Sequence, residues 1–215
     1  MSGPIVVINP NSNRAVTEGL DRALDGFRFA DGPPIECLTL PEGPFGIESQ
    51  VQSDQVVQPL VALVQSRPDA AAFVIACYSD PGLAACREVA KVPVFGIQES
   101  GILAAMGRGD MVGVISLSQA SVVRHRAYMR RMGVSLRISW DLAVDLSVAE
   151  SAGGEGAFLT LLTAGHHLID DGADVIVLGC AGMARHRAQL QTDLGVPVID
   201  PTQAAVAQAL GAILG

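Results

Sequence analysis

The chain has 215 residues, of which 49% are hydrophobic and 17% charged, and it carries a formal net charge of -8 with a mean hydropathy of +0.38. Its length suits one domain or two compact halves, and no apolar run approaches the roughly 18 residues that a membrane-spanning helix needs. The negative charge argues against a nucleic-acid partner, because binding phosphates requires a clustered basic surface.

The first half of the chain alternates short apolar runs with segments of helical length. The run at residues 4–9 is predicted to be a strand, since it lacks the basic segment and the small-residue cleavage site of a secretion signal. A cytoplasmic location is therefore expected. The predicted elements that follow are a helix at 13–25, a strand at 35–40, a helix at 49–66, a strand ending at Cys77, a helix at 80–91 and a strand at 93–97.

The second half repeats the design of the first. Cys77 and Cys180 both end apolar runs and lie 103 residues apart, and the Val-Pro-Val segments at 92–94 and 196–198 are offset by 104 residues. These matching offsets indicate an internal duplication. The second-half strands are predicted near 111–116, 136–145, 174–179 and 196–199, with helices between them and a last helix near 201–214.

Apolar runs that do not alternate with polar residues are typical of parallel strands covered by helices on both faces. We therefore predict an α/β protein of two pseudo-symmetric domains, each a four-stranded parallel sheet flanked by helices, that arose by internal duplication. The first domain is placed at residues 1–97, together with the C-terminal helix at about 201–215, and the second at 98–200.

The two cysteines at equivalent positions are the main candidates for catalysis. Ligands of open parallel sheets bind at the carboxyl ends of the strands, where Cys77 and Cys180 are both predicted to lie. Ser79-Asp80-Pro81 is predicted to begin a helix beside Cys77, and the helix N-terminus would favour its thiolate. Across one cleft, a thiolate can remove a proton from one face of a carbon acid while the opposing thiol protonates the other face. Such a pair predicts inversion of a stereocentre.

Other reactive groups are predicted to be structural. No Cys-x-x-Cys pair occurs, and Cys37 and Cys86 are predicted to be reduced core residues. Neither a metal nor a cofactor is predicted, because no histidine pairs with a cysteine at the spacing of a zinc site and the glycines of 107–113 precede a strand. The basic cluster that begins at Arg124 is predicted to be a solvated helix face. Glu48 is predicted to be a helix-start acid, with a pocket residue as the alternative.

Several segments along the chain carry a resemblance to a known family. They are Ile8-Asn-Pro-Asn-Ser12, Gly43-Pro44 with Ile47-Glu-Ser49, Ala76-Cys-Tyr-Ser-Asp-Pro-Gly-Leu83 with Ala85-Cys-Arg-Glu-Val89, Pro93-Val-Phe-Gly-Ile97, Leu178-Gly-Cys-Ala-Gly-Met183 and Val196-Pro-Val-Ile-Asp200. With them the chain resembles the aspartate/glutamate/hydantoin racemase superfamily of cofactor-independent, two-cysteine enzymes. Within that superfamily it is most similar to the hydantoin racemase branch, which includes allantoin racemases. The resemblance implies two pseudo-symmetric domains with the active site between them.

The resemblance also implies that Cys77 and Cys180 are the catalytic acid/base pair. Amino-acid racemases of the superfamily generally follow each cysteine with polar residues, whereas Ala181 and Gly182 follow Cys180 here, which favours a neutral cyclic substrate. The expected activity is therefore racemisation of a 5-substituted hydantoin or a related cyclic ureide. The residues implied to line the substrate pocket are Asn11, Ser12, Tyr78, Ser79, Asp80, Ser116, Ser118, Ala181 and Gly182.

Several alternatives stay open. An aspartate or glutamate racemase and a maleate-type isomerase also use two cysteines, whereas an arylmalonate-type decarboxylase works with one and is disfavoured by the retention of both. A non-catalytic, two-lobed protein that binds a small molecule is the alternative from another class. In each case the partner is a small molecule. A homo-oligomer is also expected, because parallel-sheet enzymes with apolar surface helices often assemble.

Overall fold

The computed structural model describes residues 3–215, which form two α/β lobes. The first lobe is built on the sheet within residues 5–96, and the second on the sheet within residues 112–199. The elements of the first lobe are β1 (Ile5–Asn9), α1 (Arg14–Ala23), β2 (Ile35–Thr39), α2 (Gln50–Gln55), α3 (Val57–Ser66), β3 (Ala72–Ile75), α4 (Leu83–Val89) and β4 (Val94–Gly96).

The second lobe follows without a linker. Its elements are α5 (Ile97–Met106), β5 (Val112–Ser116), α6 (Gln119–Met132), β6 (Ile138–Ala143), α7 (Val148–Ser151), α8 (Glu155–Asp170), β7 (Val175–Leu178), α9 (Arg187–Leu194) and β8 (Val198–Ile199). The C-terminal helix α10 (Pro201–Leu214) follows them. Short 3-10 helices lie at Asp25–Phe27, Ser135–Arg137 and Ala181–His186. Of the helices described in residues 3–215, none combines the length and the apolar character required to cross a bilayer.

The two sheets have the same topology. The strand order is β2-β1-β3-β4 in the first sheet and β6-β5-β7-β8 in the second, and all paired strands run parallel. Ile8 pairs with Ile75 in the first sheet, and Ile115 pairs with Leu178 at the equivalent place in the second. The predicted fold class, two four-stranded parallel sheets flanked by helices, is confirmed.

The central strands form the core of both lobes. Every residue of β1, β3, β5 and β7 is buried, because helices cover both faces of each sheet. Apolar side chains from both sheets belong to one continuous cluster, so the two lobes share a core. The C-terminal α10 returns to the first sheet and packs against β3, β4 and α5. There Gln203 Nε2 donates to the carbonyl oxygen of Ala23 at 2.8 Å.

Several helix boundaries differ from the sequence prediction. The helix predicted at 80–91 begins only at Leu83, because Gly82 adopts a left-handed conformation (φ 67°) directly before it. The helix predicted at 49–66 is divided at Val56 into α2 and α3. Helix α5 has no counterpart in the prediction, which assigns no element between the strand at 93–97 and the strand near 111–116.

Candidate active site

One small cleft between the lobes brings the two predicted catalytic cysteines together. Cys77 lies two residues beyond the end of β3, Cys180 lies two residues beyond the end of β7, and both line the cleft. The cavity between them has a volume of about 30 Å³.

The turn after Cys77 does not place a helix N-terminus at its sulfur. The amide N–H groups of Ser79 and Asp80 instead donate to the carbonyl oxygen of Cys77, at 2.9 and 3.0 Å. The predicted helix start beside Cys77 is therefore wrong. Burial raises the pKa of the Cys77 thiol to about 12, and the Ser79 hydroxyl, 3.7 Å from Sγ, and the charge of Arg124 oppose this rise.

The arrangement predicted for Cys77 occurs at Cys180 instead. Cys180 is the N-cap of the 3-10 helix at Ala181–His186, and its Sγ accepts from the amide N–H of Gly182 at 3.4 Å. Ser151 Oγ lies 3.7 Å from the same sulfur and donates its proton to the carbonyl oxygen of Val148 at 2.8 Å. The Ser151 hydroxyl can also rotate to donate to the Cys180 thiolate, which is the direction that lowers the pKa of Cys180. Burial raises the pKa of Cys180, and the Gly182 and Ser151 contacts oppose the rise.

Asp80 caps a helix and is absent from the cleft wall. Its carboxylate accepts from the amide N–H groups of Gln98 and Glu99, each at 2.9 Å, at the start of α5. The residue is buried and has a left-handed backbone (φ 48°), which aspartate tolerates better than most residues. A Cβ built on Gly96 would lie 2.3 Å from Asp80 Cγ, so only glycine fits beneath the carboxylate. Asp80 thus ties the turn that carries Cys77 to α5.

Of the other predicted pocket residues, some line the cleft and some do not. Asn11, Tyr78, Ala181 and Gly182 line the cleft with the two cysteines. Ser79 does not line the cleft, and its hydroxyl contacts the sulfur of Cys77 at 3.7 Å. The remaining three have local structural contacts: the Ser12 N–H donates to the carbonyl oxygen of Pro44, Ser116 belongs to a buried side-chain network, and Ser118 is the N-cap of α6.

That buried network connects Ser116 to the cleft through His125. Ser116 Oγ donates to Asp141 Oδ1 and lies 2.9 Å from His125 Nδ1. Since the single serine proton goes to the carboxylate, Ser116 accepts from Nδ1–H of His125. His125 lines the cleft, and its ring packs edge-on against Tyr78 with 4.7 Å between centroids. The buried Tyr78 hydroxyl has no hydrogen-bond partner among residues 3–215.

The cleft includes Arg124, which the sequence predicts to be solvated, and Glu48 makes a contact between the lobes. Arg124 is half-buried and lines the cleft, so the predicted solvated face is wrong at this position and at the buried His125. Glu48 precedes Ser49, which is the N-cap of α2, and its Oε1 accepts from the amide N–H of Val148 in the other lobe at 3.2 Å. Only the packing of one lobe on the other distinguishes these positions from ordinary surface residues.

Side chains that bind metals are not clustered in the described part of the chain. Within the part of the chain that the structure describes, no three His, Cys, Asp or Glu side chains are grouped so that they could hold a metal ion. Cys37, in β2, and Cys86, in α4, lie outside the cleft as free thiols, and burial raises the pKa of Cys86 to about 11.

Two parallel-sheet lobes of the same topology, each bringing one cysteine to a shared cleft, define a two-lobed α/β protein with a candidate active site between the lobes. The sequence profile of the Asp/Glu/Hydantoin racemase family matches residues 5–209. The chain therefore belongs to the Asp/Glu/hydantoin racemase family and is an isomerase.

Individual members of the family are similar over nearly the whole chain. Hydantoin racemase from Paenarthrobacter aurescens is 35% identical over 97% of this chain and 91% of its own length. The structure of allantoin racemase from Klebsiella pneumoniae matches with a TM-score of 0.91 and 30% identity, covering 99% of this chain and 88% of that one. Allantoin racemase from Pseudomonas fluorescens matches with a TM-score of 0.89 and 25% identity, covering 98% and 91%.

Proposed function

We propose that this protein is a cofactor-independent racemase that inverts a carbon-acid stereocentre of a 5-substituted hydantoin or a related cyclic ureide. The observation that carries the proposal is the position of Cys77 and Cys180 on the wall of one cleft, each two residues beyond equivalent strands of the two lobes. Acid/base groups on two such lobes can reach opposite faces of one substrate carbon. Similarity to hydantoin and allantoin racemases supports the same class of substrate.

The proposed reaction needs only proton transfers. The thiolate of Cys77 removes the proton from the stereogenic carbon, and the electron pair of the C–H bond moves towards the adjacent carbonyl, whose oxygen becomes negative. The thiol of Cys180 then gives its proton to the opposite face of the carbon, and its sulfur becomes the thiolate. The enzyme is left with the two protonation states exchanged, which is the state that runs the reverse reaction. Burial, which raises the pKa of both thiols, keeps the proton-donating cysteine protonated.

The cleft wall supports a neutral ring as substrate. Ile47, Leu117 and Val148 give it apolar surface, and Ala181 and Gly182 let a ring approach the backbone closely. Among the described residues no Asp or Glu lines the cleft. The ammonium group of an amino-acid substrate would therefore meet no carboxylate on the wall of this cleft.

The test measures racemisation, and exchange of the stereogenic hydrogen in D2O, over a panel of 5-substituted hydantoins, allantoin, aspartate and glutamate. We expect exchange with cyclic ureides, and a loss of racemisation of about 10²–10⁴-fold in C77S and in C180S, because each removes one proton-transfer group. C37S is the matched control, since Cys37 lies in β2 outside the cleft, and it should retain activity.

Three results would decide against the proposal. Exchange with no compound of the panel, or racemisation that survives both C77S and C180S, would contradict it. Exchange with aspartate or glutamate alone would instead support an amino-acid racemase.

A further inference from the structure

Arg124 occupies an unusual position for an arginine on a surface helix. It lies on α6, it is half-buried, and it lines the same cleft as Cys77 and Cys180. Its guanidinium is held from several sides. Nη1 donates to the carbonyl oxygens of Glu48, in the first lobe, at 3.1 Å and Ala120 at 3.2 Å, and Nη2 donates to Ser121 Oγ at 3.1 Å. These contacts fix the group at the junction of the two lobes.

None of these partners neutralises the charge of Arg124. Within residues 3–215, no carboxylate lies within ion-pairing distance of its guanidinium, and its buried Nε has no hydrogen-bond partner. A buried donor without a partner costs about 1–3 kcal/mol, and more when it is charged. Cys77 is the group whose negative form Arg124 favours: the arginine's charge lowers the pKa of the Cys77 thiol, against the larger effect of burial. The cleft therefore contains a fixed positive charge without a fixed counter-ion.

We propose that Arg124 is a further catalytic residue, whose guanidinium binds the substrate carbonyl oxygen that becomes negative when the Cys77 thiolate removes the neighbouring proton. This inference rests on the proposed racemase function and names the group that stabilises its intermediate. A preorganised donor in a site that excludes water stabilises a developing oxyanion without having to reorient. Arg124 is preorganised in this sense, because three neutral oxygens already hold its guanidinium in place.

The charge of Arg124 acts at both ends of the first proton transfer. Before transfer the negative charge is on the sulfur of Cys77, and after transfer it is on the enolate oxygen of the substrate, while the abstracted proton remains on Cys77. Arg124 favours the thiolate in the first state and the enolate in the second, so one cation stabilises the anion throughout the step. When Cys180 delivers its proton to the carbon, the electron pair returns from the oxygen and the negative charge ends on the sulfur of Cys180.

The experiment compares R124Q and R124M, which remove the charge, with R124K, which keeps it. R126Q is the matched control, because Arg126 lies on the same helix but packs over the Trp140 ring at 5.3 Å and does not line the cleft. Two quantities are measured for each folded variant: kcat and KM for racemisation, and the pH dependence of Cys77 alkylation by iodoacetamide, followed by peptide mass spectrometry. Two neutral variants are used so that either one suffices if the other does not fold.

We expect R124Q and R124M to lower kcat by about 100-fold or more with a smaller change in KM, because the lost interaction strengthens as the oxyanion forms. Cys77 alkylation should need a higher pH in both, whereas R124K should recover most of kcat and the alkylation profile, and R126Q should match the wild type. A neutral variant whose kcat stays within about threefold of the wild type would overturn the proposal. So would equal losses in the neutral variants and R124K with an unchanged alkylation profile, since that pattern indicates only a structural contact.

Failure of the proposed function would look different. It would appear as absence of hydrogen exchange in the wild type over the whole panel, while the alkylation profiles, which need no substrate, would still report whether Arg124 acts on Cys77.

Discussion

Replacing Asp80 by alanine should destabilise the protein without directly altering the substrate site. The change leaves the amide N–H groups of Gln98 and Glu99 without acceptors at the start of α5. An unpaired buried donor costs about 1–3 kcal/mol, and because the Glu99 site is only partly buried, we expect a total loss of about 2–4 kcal/mol in the free energy of unfolding. For a chain of this length that corresponds to a fall in Tm of roughly 5–15 °C. D80N keeps one acceptor oxygen, so it should lose about half as much.

Urea unfolding followed by circular dichroism measures this loss as a shift of the midpoint at constant slope. D25A is the matched control, because Asp25 is an exposed partner of Arg28, and such a surface pair contributes about 0–1 kcal/mol. KM of folded D80N should stay within about twofold of the wild type, since the carboxylate contacts α5 and not the cleft. A D80A protein with wild-type stability, or a D80N protein with normal stability and KM raised about tenfold or more, would refute the helix-cap role.

Two further predictions concern the thiols. Burial raises the pKa of Cys77 to about 12 and also raises that of Cys180, so the thiolate is a minor form at neutral pH. We therefore expect kcat/KM, measured by polarimetry, to rise by up to about tenfold per pH unit between pH 7 and 9. A profile that is flat over that range would contradict the raised pKa values. S151A removes the oxygen 3.7 Å from Cys180 Sγ and should lower kcat by about threefold to tenfold, the equivalent of one hydrogen bond. The control S139A, in β6 outside the cleft, should leave kcat unchanged, and an S151A rate equal to that of the wild type would show that Ser151 does not assist Cys180.

The fold was predictable because its signals are local and repeated. Strands such as Ala72–Ile75 and Val175–Leu178 are continuous apolar runs at equivalent places in two similar halves. That pattern is sufficient to predict two parallel sheets with a cysteine just beyond one strand of each. Element ends were less predictable, because they depend on single residues such as Gly82, whose left-handed conformation delays the start of α4.

The missed helix α5 has a physical explanation. A helix is recognised in a sequence by a capping side chain directly before it, but Gly96, the N-cap of α5, has no side chain. The cap is the carboxylate of Asp80, a residue that precedes β4 in the chain, whereas α5 follows β4. The same carboxylate suggested a helix start at residue 80, so one long-range contact explains both errors.

The candidate site was predictable only in part, for a similar reason. The duplication identifies Cys77 and Cys180 from the sequence alone. Arg124 and His125 lie in a basic helix segment that resembles a solvated surface, and they line a cleft only because the first lobe packs against this end of α6. Burial created by the first lobe leaves no periodic signal in the sequence of α6 itself.

The most direct test of the two-cysteine account is an isotope experiment on a single enantiomer of a 5-substituted hydantoin in D2O, stopped after a small fraction has reacted. Cys77 and Cys180 should act on opposite faces, so the cysteine that removes the protium is not the one that delivers hydrogen to the product. The thiol that delivers it has exchanged with solvent. The account predicts that the newly formed enantiomer carries deuterium at the stereogenic carbon while the recovered substrate retains protium. Deuterium appearing equally in recovered substrate and product from the start would show that one base serves both faces, and would contradict the account.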